Sequence, residues 1–234
     1  MPANLSRFTG SDSLPEFFGV AFRRIGSDGF HSAIAYRASG GSLHLLHLAG
    51  HRELWDDPET IARLQSYVCI EPNLTRAESI SLAGYCLRIH KINFGRNNIP
   101  FSLQYDDGIG FDPDTGEIVT ATGLSGMTCA TFVLHVFHST GKLLLDTAAC
   151  PPNRPGDDER RLALADSVRA SSSPDAQQQA DYILQNRRGI PRIRPEEVAG
   201  ACLEEALPTS YPQVESNGRL VLAVWDSWRS GKVH

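Results

Sequence analysis

The chain has 234 residues, 27 acidic against 22 basic side chains, and a formal net charge of -5. That length supports one sizeable core with room for an appended lobe. The acidic balance and the lack of a basic cluster argue against a nucleic-acid partner, and no apolar stretch approaches the ~20 residues of a membrane span.

The start, Met1-Pro2-Ala3-Asn4-Leu5-Ser6-Arg7, lacks the basic-then-apolar pattern of a secretory leader. A cytoplasmic protein is expected, and export by a dedicated secretion system would leave no such mark. Phe30-His31-Ser32-Ala33-Ile34-Ala35-Tyr36-Arg37 and Ser42-Leu43-His44-Leu45-Leu46-His47-Leu48-Ala49-Gly50 flank a Ser-Gly-Gly turn and predict a β-hairpin. Loop parity decides which His faces His31. A three-residue loop, 38–40 with Gly40 at positive φ, puts His47 opposite His31, whereas a four-residue loop ending at Gly41 brings His44 there instead.

Asp57-Pro58-Glu59 has the form of an N-cap with Pro in the first turn and predicts a helix through Ile61, Leu64, Tyr67 and Val68. Thr75-Arg76-Ala77-Glu78 is a capping box that opens a second helix through Ile80, Leu82, Tyr85, Leu87 and Ile89. Between Asp106 and Gly126 the chain is rich in Gly and Asp and predicts a long loop or irregular hairpin. Asp106, Asp107, Asp112 and Asp114 lack the closing Glu of a calcium loop, so plain turn chemistry is expected there.

Gly126-Met127-Thr128-Cys129 precedes an apolar run, Phe132, Val133, Val136 and Phe137, at helical spacing, with Gly141 as the stop. Thr128 is a candidate N-cap, which puts Cys129 in the first turn. The positive end of the helix dipole there predicts a depressed thiol pKa, the setting in which cysteine hydrolases hold a nucleophile. The competing reading is a small, buried, inert cysteine. Five widely spaced cysteines without a C-x-x-C suggest free thiols in a reducing compartment. Cys69, Cys86 and Cys202 sit among apolar neighbours, and Cys150 precedes Pro151-Pro152.

Composition shifts at Pro151-Pro152-Asn153-Arg154-Pro155-Gly156. Polar helices are predicted over Asp157–Ala170, over Pro174–Arg187 capped by Ser173, and over Pro195–Ala206. Arg219-Leu220-Val221-Leu222-Ala223-Val224-Trp225 predicts a last strand that returns to the sheet. The boundary divides the chain into a core of residues 1–150 and a helical extension of 151–234 packed on it.

In their order, these residues resemble the circularly permuted papain-like cysteine hydrolases. The likeness is strongest to the lecithin:retinol acyltransferase-like and H-Ras-like-suppressor branch, which is related to the NlpC-type amidases. Members carry a His on a first strand, then His-Leu-Ala-Pro, and later Asn-Cys-Glu-His-Phe-Val. Here the matching stretches are His31, His47-Leu48-Ala49-Gly50 and Thr128-Cys129-Ala130-Thr131-Phe132-Val133, with Ile99-Pro100-Phe101-Ser102-Leu103-Gln104-Tyr105 similar to the run before the cysteine. The resemblance spans Phe30 to Leu145. Thr128 replaces the usual Asn, and Ala130-Thr131 replaces Glu-His.

The resemblance implies an α+β fold in which an antiparallel sheet packs on the helix that carries the cysteine. It implies Cys129 as nucleophile, His31 as general base and His47 as the group that orients the base, with His44 as the alternative. The Cys129 N–H is a natural oxyanion donor, and Tyr105 or Tyr36 could supply a second. The activity implied is hydrolysis of an amide, of peptide or peptidoglycan type, or of an ester through an acyl-enzyme. An acyltransferase or phospholipase and a catalytically silent binding module on the same fold are the rivals. No cofactor or metal is expected. His44, His47 and His51 would share a face only on a helix, which Gly40-Gly41 and Gly50 oppose. His135 and His138, without a third ligand, are expected to be ordinary helix residues.

Overall fold

Alternating apolar residues build a six-stranded sheet, because side chains of successive strand residues point to opposite faces. In the computed structural model, residues 4–7, 15–26, 29–37, 41–58, 65–106, 108–120, 123–185 and 191–229 are described. The strands are β1 (Leu5–Arg7), β2 (Phe18–Ile25), β3 (Gly29–Arg37), β4 (Leu43–Gly50), β5 (Glu53–Pro58) and β6 (Val68–Ile70). They lie in the order β1-β6-β2-β3-β4-β5, and every pair is antiparallel. The class is α+β, as expected.

One face of the sheet carries Val20, Phe22, Ile34, Tyr36, Leu46 and Leu48. It forms one core with α1 (Arg76–Asn93) and α2 (Cys129–Ser139). The other face carries Ala21, Ala33, Ala35, Leu43, Leu45 and Cys69, covered in part by Tyr67. Helix α2 is central. Every residue from Ala130 to Phe137 is buried, and each large apolar side chain among them is worth ~1.5–3 kcal/mol in removal from water.

The hairpin forms with a register that neither loop anticipated. Arg37 pairs with Leu43 and Ile34 with Leu46, so the connection spans 38–42, two residues more than the three-residue loop. Its residues 38–40, including Gly40, lie outside the described residues, while Gly41 holds a φ of +86°. A shift of two residues preserves which side chains share a face, so His47 still joins His31 and His44 joins Tyr36.

The predicted helix from Asp57 is not found at its described ends. Asp57 lies within β5 and Val68 within β6, while 59–64, with Ile61 and Leu64, lie outside the described residues. β6 fills the gap between β1 and β2, where its three residues are all buried. Pairing with distant strands outweighs the local cap signal. The capping box at Thr75 and Glu78 is present and starts α1. Among its described residues the loop after Asp106 contains the two-residue strands β7 (Gly110–Phe111) and β8 (Ile118–Val119), joined by a turn in which Asp112 Oδ1 accepts from the N–H groups of Asp114 and Thr115. Asp107 lies outside the described residues.

The extension supplies α3 (Asp157–Arg169), α4 (Ala176–Gln185), α5 (Pro195–Ala201) and α6 (Tyr211–Arg229). The predicted last strand is instead the second half of α6. Val214, Asn217, Gly218 and Val221 are buried at helical spacing against α5, and that stripe overrides the strand-like run of Val and Leu. No helix among the described residues is long and apolar enough to cross a membrane.

Candidate active site

Cys129 is the first residue of α2, placed there by two local devices. The Thr128 hydroxyl accepts from the Thr131 N–H at 3.2 Å while the Thr131 hydroxyl accepts from the Thr128 N–H at 2.8 Å, which forms a reciprocal cap. Gly126 lets the approach run hard against Ile99–Ser102. A Cβ there would lie 2.1 Å from the Pro100 carbonyl oxygen, and the Met127 N–H donates to that oxygen at 2.9 Å. The same segment is clamped from its other side. Phe101 donates its N–H to His51 Nδ1 at 3.2 Å, and His51 Nε2 donates to Asp175 at 3.3 Å. Burial lowers the His51 pKa, which keeps that ring neutral and able to accept.

His31, His47 and Asp57 form one chain of hydrogen bonds. His31 Nε2 lies 2.9 Å from His47 Nδ1, and His47 Nε2 lies 3.2 Å from Asp57 Oδ2. All three residues are buried. A carboxylate only accepts, so His47 donates from Nε2 and its Nδ1 accepts from His31 Nε2–H. That assignment, made from the hydrogen-bond chain, leaves Nδ1 as the basic nitrogen of His31. The local sequence marks Asp57 as a helix cap, yet it stands in β5. The alternation of Leu54 and Asp56 with Trp55 and Asp57 is the signal that would have put its carboxylate on the face of His47.

His31 and Cys129 both line a cleft of about 750 Å³. They reach it from different sides of β3. Ile34 and Tyr36 face α2, so Ser32 does too, and His31 points with Ala33 and Ala35 to the opposite face, its ring 6.3 Å from that of Tyr67. On the Cys129 side Ser32 is the β3 residue nearest the thiol: its N–H and hydroxyl, the Ala130 N–H and the Arg160 charge all favour a thiolate, although the Ser32 hydroxyl makes no hydrogen bond among the described residues. Nothing in the sequence marked Ser32 beyond its place beside His31.

The expected depression of the Cys129 pKa is not found. Part of the residue opens to the cleft, yet its sulfur is enclosed, and burial pushes the thiol above its ordinary value despite Ser32, Arg160 and the helix start. Cys129 still differs from the other four cysteines. Those are buried, with thiols raised by burial in every case, in Cys150 to about 12.

The remaining candidates lie elsewhere. His44 Nδ1 bonds to Asp56 at 3.0 Å, on the α2 face, where Tyr36 also donates to Asp56 at 3.0 Å and His90 Nδ1 lies 3.2 Å from it. His44 is therefore not positioned as the partner of His31. Tyr105 lies flat on His135, with ring centroids 4.9 Å apart, well along α2 from the helix start that Cys129 occupies. Tyr36 and Tyr105 are thus engaged away from the sulfur. His44, His47 and His51 point to three separate sets of partners, and no group of three or more metal-ligating side chains occurs among the described residues.

The extension forms the far wall of the cleft. Glu159, Arg160 and Leu164 of α3, with Arg192, Ile193 and Glu196 before and within α5, stand across from His31, Leu48 and Cys129. No protein-family model, curated protein or solved structure matches the chain significantly.

Proposed function

We propose that the chain is a thiol hydrolase of the permuted papain-like kind, cleaving an amide or ester bond through an acyl-enzyme on Cys129. The observation that carries this reading is the single cleft lined both by the cysteine at the start of α2 and by His31 at the end of a His31–His47–Asp57 chain. A central helix packed on an antiparallel sheet, with the two His on adjacent strands, agrees with the resemblance in motif order.

In this reading His31 Nδ1 takes the thiol proton and His47, held by Asp57, fixes the tautomer of His31 and stabilises its charged form. The Ser32 and Ala130 N–H groups receive the thiolate. The sulfur attacks the carbonyl carbon, and the Cys129 N–H at the helix start binds the oxyanion. The His31 proton then passes to the departing amine or alkoxide, and water, deprotonated by His31, releases the acid and restores the thiol. Because the resting thiol is neutral, proton transfer belongs to the substrate complex, in the cleft that both His31 and Cys129 line.

A second reading, a binding module on the same fold, is favoured by one observation: His31 and the residues that face α2 lie on opposite sides of β3. An activated ester separates the two. With p-nitrophenyl acetate, a hydrolase releases nitrophenol and carries acetyl on Cys129, detectable by mass. His31→Ala and His47→Ala should each slow that acylation by ~10²-fold or more, the usual worth of an acid–base group, and His44→Ala should stay within several-fold of the parent. Wild-type acylation rates in His31→Ala would remove His31 as the base, and a parent that neither acylates nor turns over above the uncatalysed rate would establish the module reading instead.

A further inference from the structure

We propose that the cleft selects substrates that carry a carboxylate beside the bond at Cys129, with the Arg160 guanidinium as the group that holds it. The proposal deepens the hydrolase reading and rests on it for the role of Cys129.

Charged side chains stand in the wall of the cleft. Three arginines and two glutamates line it: Arg160, Arg192, Arg194, Glu159 and Glu196. Arg192 and Arg194 are already engaged. Arg192 Nη1 lies 3.2 Å and Arg194 Nη2 3.1 Å from the same oxygen of Asp157, a buried carboxylate that also accepts from the Arg154 N–H at 3.0 Å. Glu196 stands beside both of these arginines. Arg160 differs. Its side chain is exposed to the cleft and forms no ion pair among the described residues. It is close enough to Cys129 to favour a thiolate there, and close enough to Arg192 that the two positive charges act on each other.

Asp157 engages Arg192 and Arg194, and Glu196 stands beside both, so Arg160 is the lining guanidinium whose donors stay open to a ligand, in a cleft whose apolar walls strengthen a local charge. A planar guanidinium matches a carboxylate with two parallel hydrogen bonds, so a carboxylate is the anion this geometry suits. The apolar residues Phe30, Leu48 and Leu103 in the same cleft then take the uncharged part of the substrate.

A pair of reagents of nearly equal shape tests the subsite. Full-length protein is alkylated at pH 9 with iodoacetate, an anion, and with iodoacetamide, its neutral counterpart, and modification of Cys129 is followed by mass spectrometry. The ratio of the two rates cancels the thiolate fraction, which Arg160 also influences. Arg160→Gln should lower the iodoacetate-to-iodoacetamide ratio about tenfold, the lower end of steering by a charged cleft. Arg160→Lys should keep most of it, and added salt should erode it. Arg169→Gln, an exposed arginine on the same helix that pairs with Asp166, should leave it unchanged. An unchanged ratio in Arg160→Gln, or an equal fall in Arg169→Gln, overturns the subsite while the nucleophile stands. A Cys129 inert to both reagents while other cysteines react overturns the subsite and the nucleophile together.

Discussion

His135 lies fully buried in α2, with neither ring nitrogen partnered among the described residues and the Tyr105 ring stacked on it at 9°. Burial, and secondarily His138, lower its pKa to about 3. An unfolded His titrates near 6.5, so between pH 6.5 and about 3 the unfolded chain binds a proton that the folded chain refuses. Stability from this residue is therefore intact above pH 6.5 and falls by ~1.4 kcal/mol per pH unit as the solution is acidified through that window. Phenylalanine keeps the stack on Tyr105 and removes the two orphaned polar atoms, each of which costs ~1–3 kcal/mol when buried without a partner. His135→Phe is accordingly expected to match or exceed the parent in urea unfolding at pH 7.5 and to lose less stability than the parent between pH 6 and pH 4. A variant more than ~1 kcal/mol weaker at pH 7.5, or one with the parent's acid slope, would show that the ring nitrogens have partners that matter.

At the scale of elements, α5 and α6 cross through two glycines. A Cβ on Gly200 would lie 2.5 Å from the Gly218 nitrogen, and one on Gly218 would lie 3.1 Å from the Glu196 carbonyl oxygen. Glycine inside a helix normally costs ~0.5–1 kcal/mol relative to alanine, so Gly→Ala should stabilise wherever space allows. Gly84, exposed in α1 with nothing within 4 Å of a new Cβ, is such a place. Gly84→Ala should gain roughly that amount, while Gly200→Ala should lose ~1–3 kcal/mol because α6 must move. Thermal melts of the two variants check the opposite signs, and a stabilised Gly200→Ala would mean the crossing is looser than its geometry. These elements also show what a sequence makes legible. The starts of α1 and α2 are written in residues three apart, Thr75 with Glu78 and Thr128 with Thr131, so local chemistry suffices. The strand β6 and the helical state of 219–225 depend on partners far along the chain, β1 and β2 in one case and α5 in the other. The same division runs through the site. Parity of the β3–β4 pairing brings His47 to His31, but the Asp57 contact and the approach of Ser32 to Cys129 need the assembled sheet.

For the whole molecule, the boundary at Cys150 marks a change in composition rather than a gap in packing. Val198, Ala199, Cys202, Val214 and Val221 of the extension belong to the same buried cluster as Val20, Ile34, Phe132 and Phe137. Arg154, just past the boundary, binds Glu197, the Tyr211 hydroxyl and the Arg192 carbonyl through its guanidinium. These contacts fasten the wall that carries Arg160 and Arg192 to the rest of the cleft. A shared core should melt as a unit, and the three tryptophans report on it from both sides: Trp55 in β5, and Trp225 and Trp228 in α6. Trp55→Phe leaves only the α6 reporters, and Trp225→Phe with Trp228→Phe leaves only the sheet reporter. Their fluorescence midpoints in urea should coincide within error, as two-state unfolding requires. Arg154→Ala should then lower both midpoints together, because the Glu197 carboxylate, 4 % exposed, is left buried without its guanidinium at a cost of ~3–5 kcal/mol. Separate midpoints, or an Arg154→Ala shift confined to the α6 reporters, would make the extension an independent unit, and the cleft wall would then have to be treated as able to leave the cysteine.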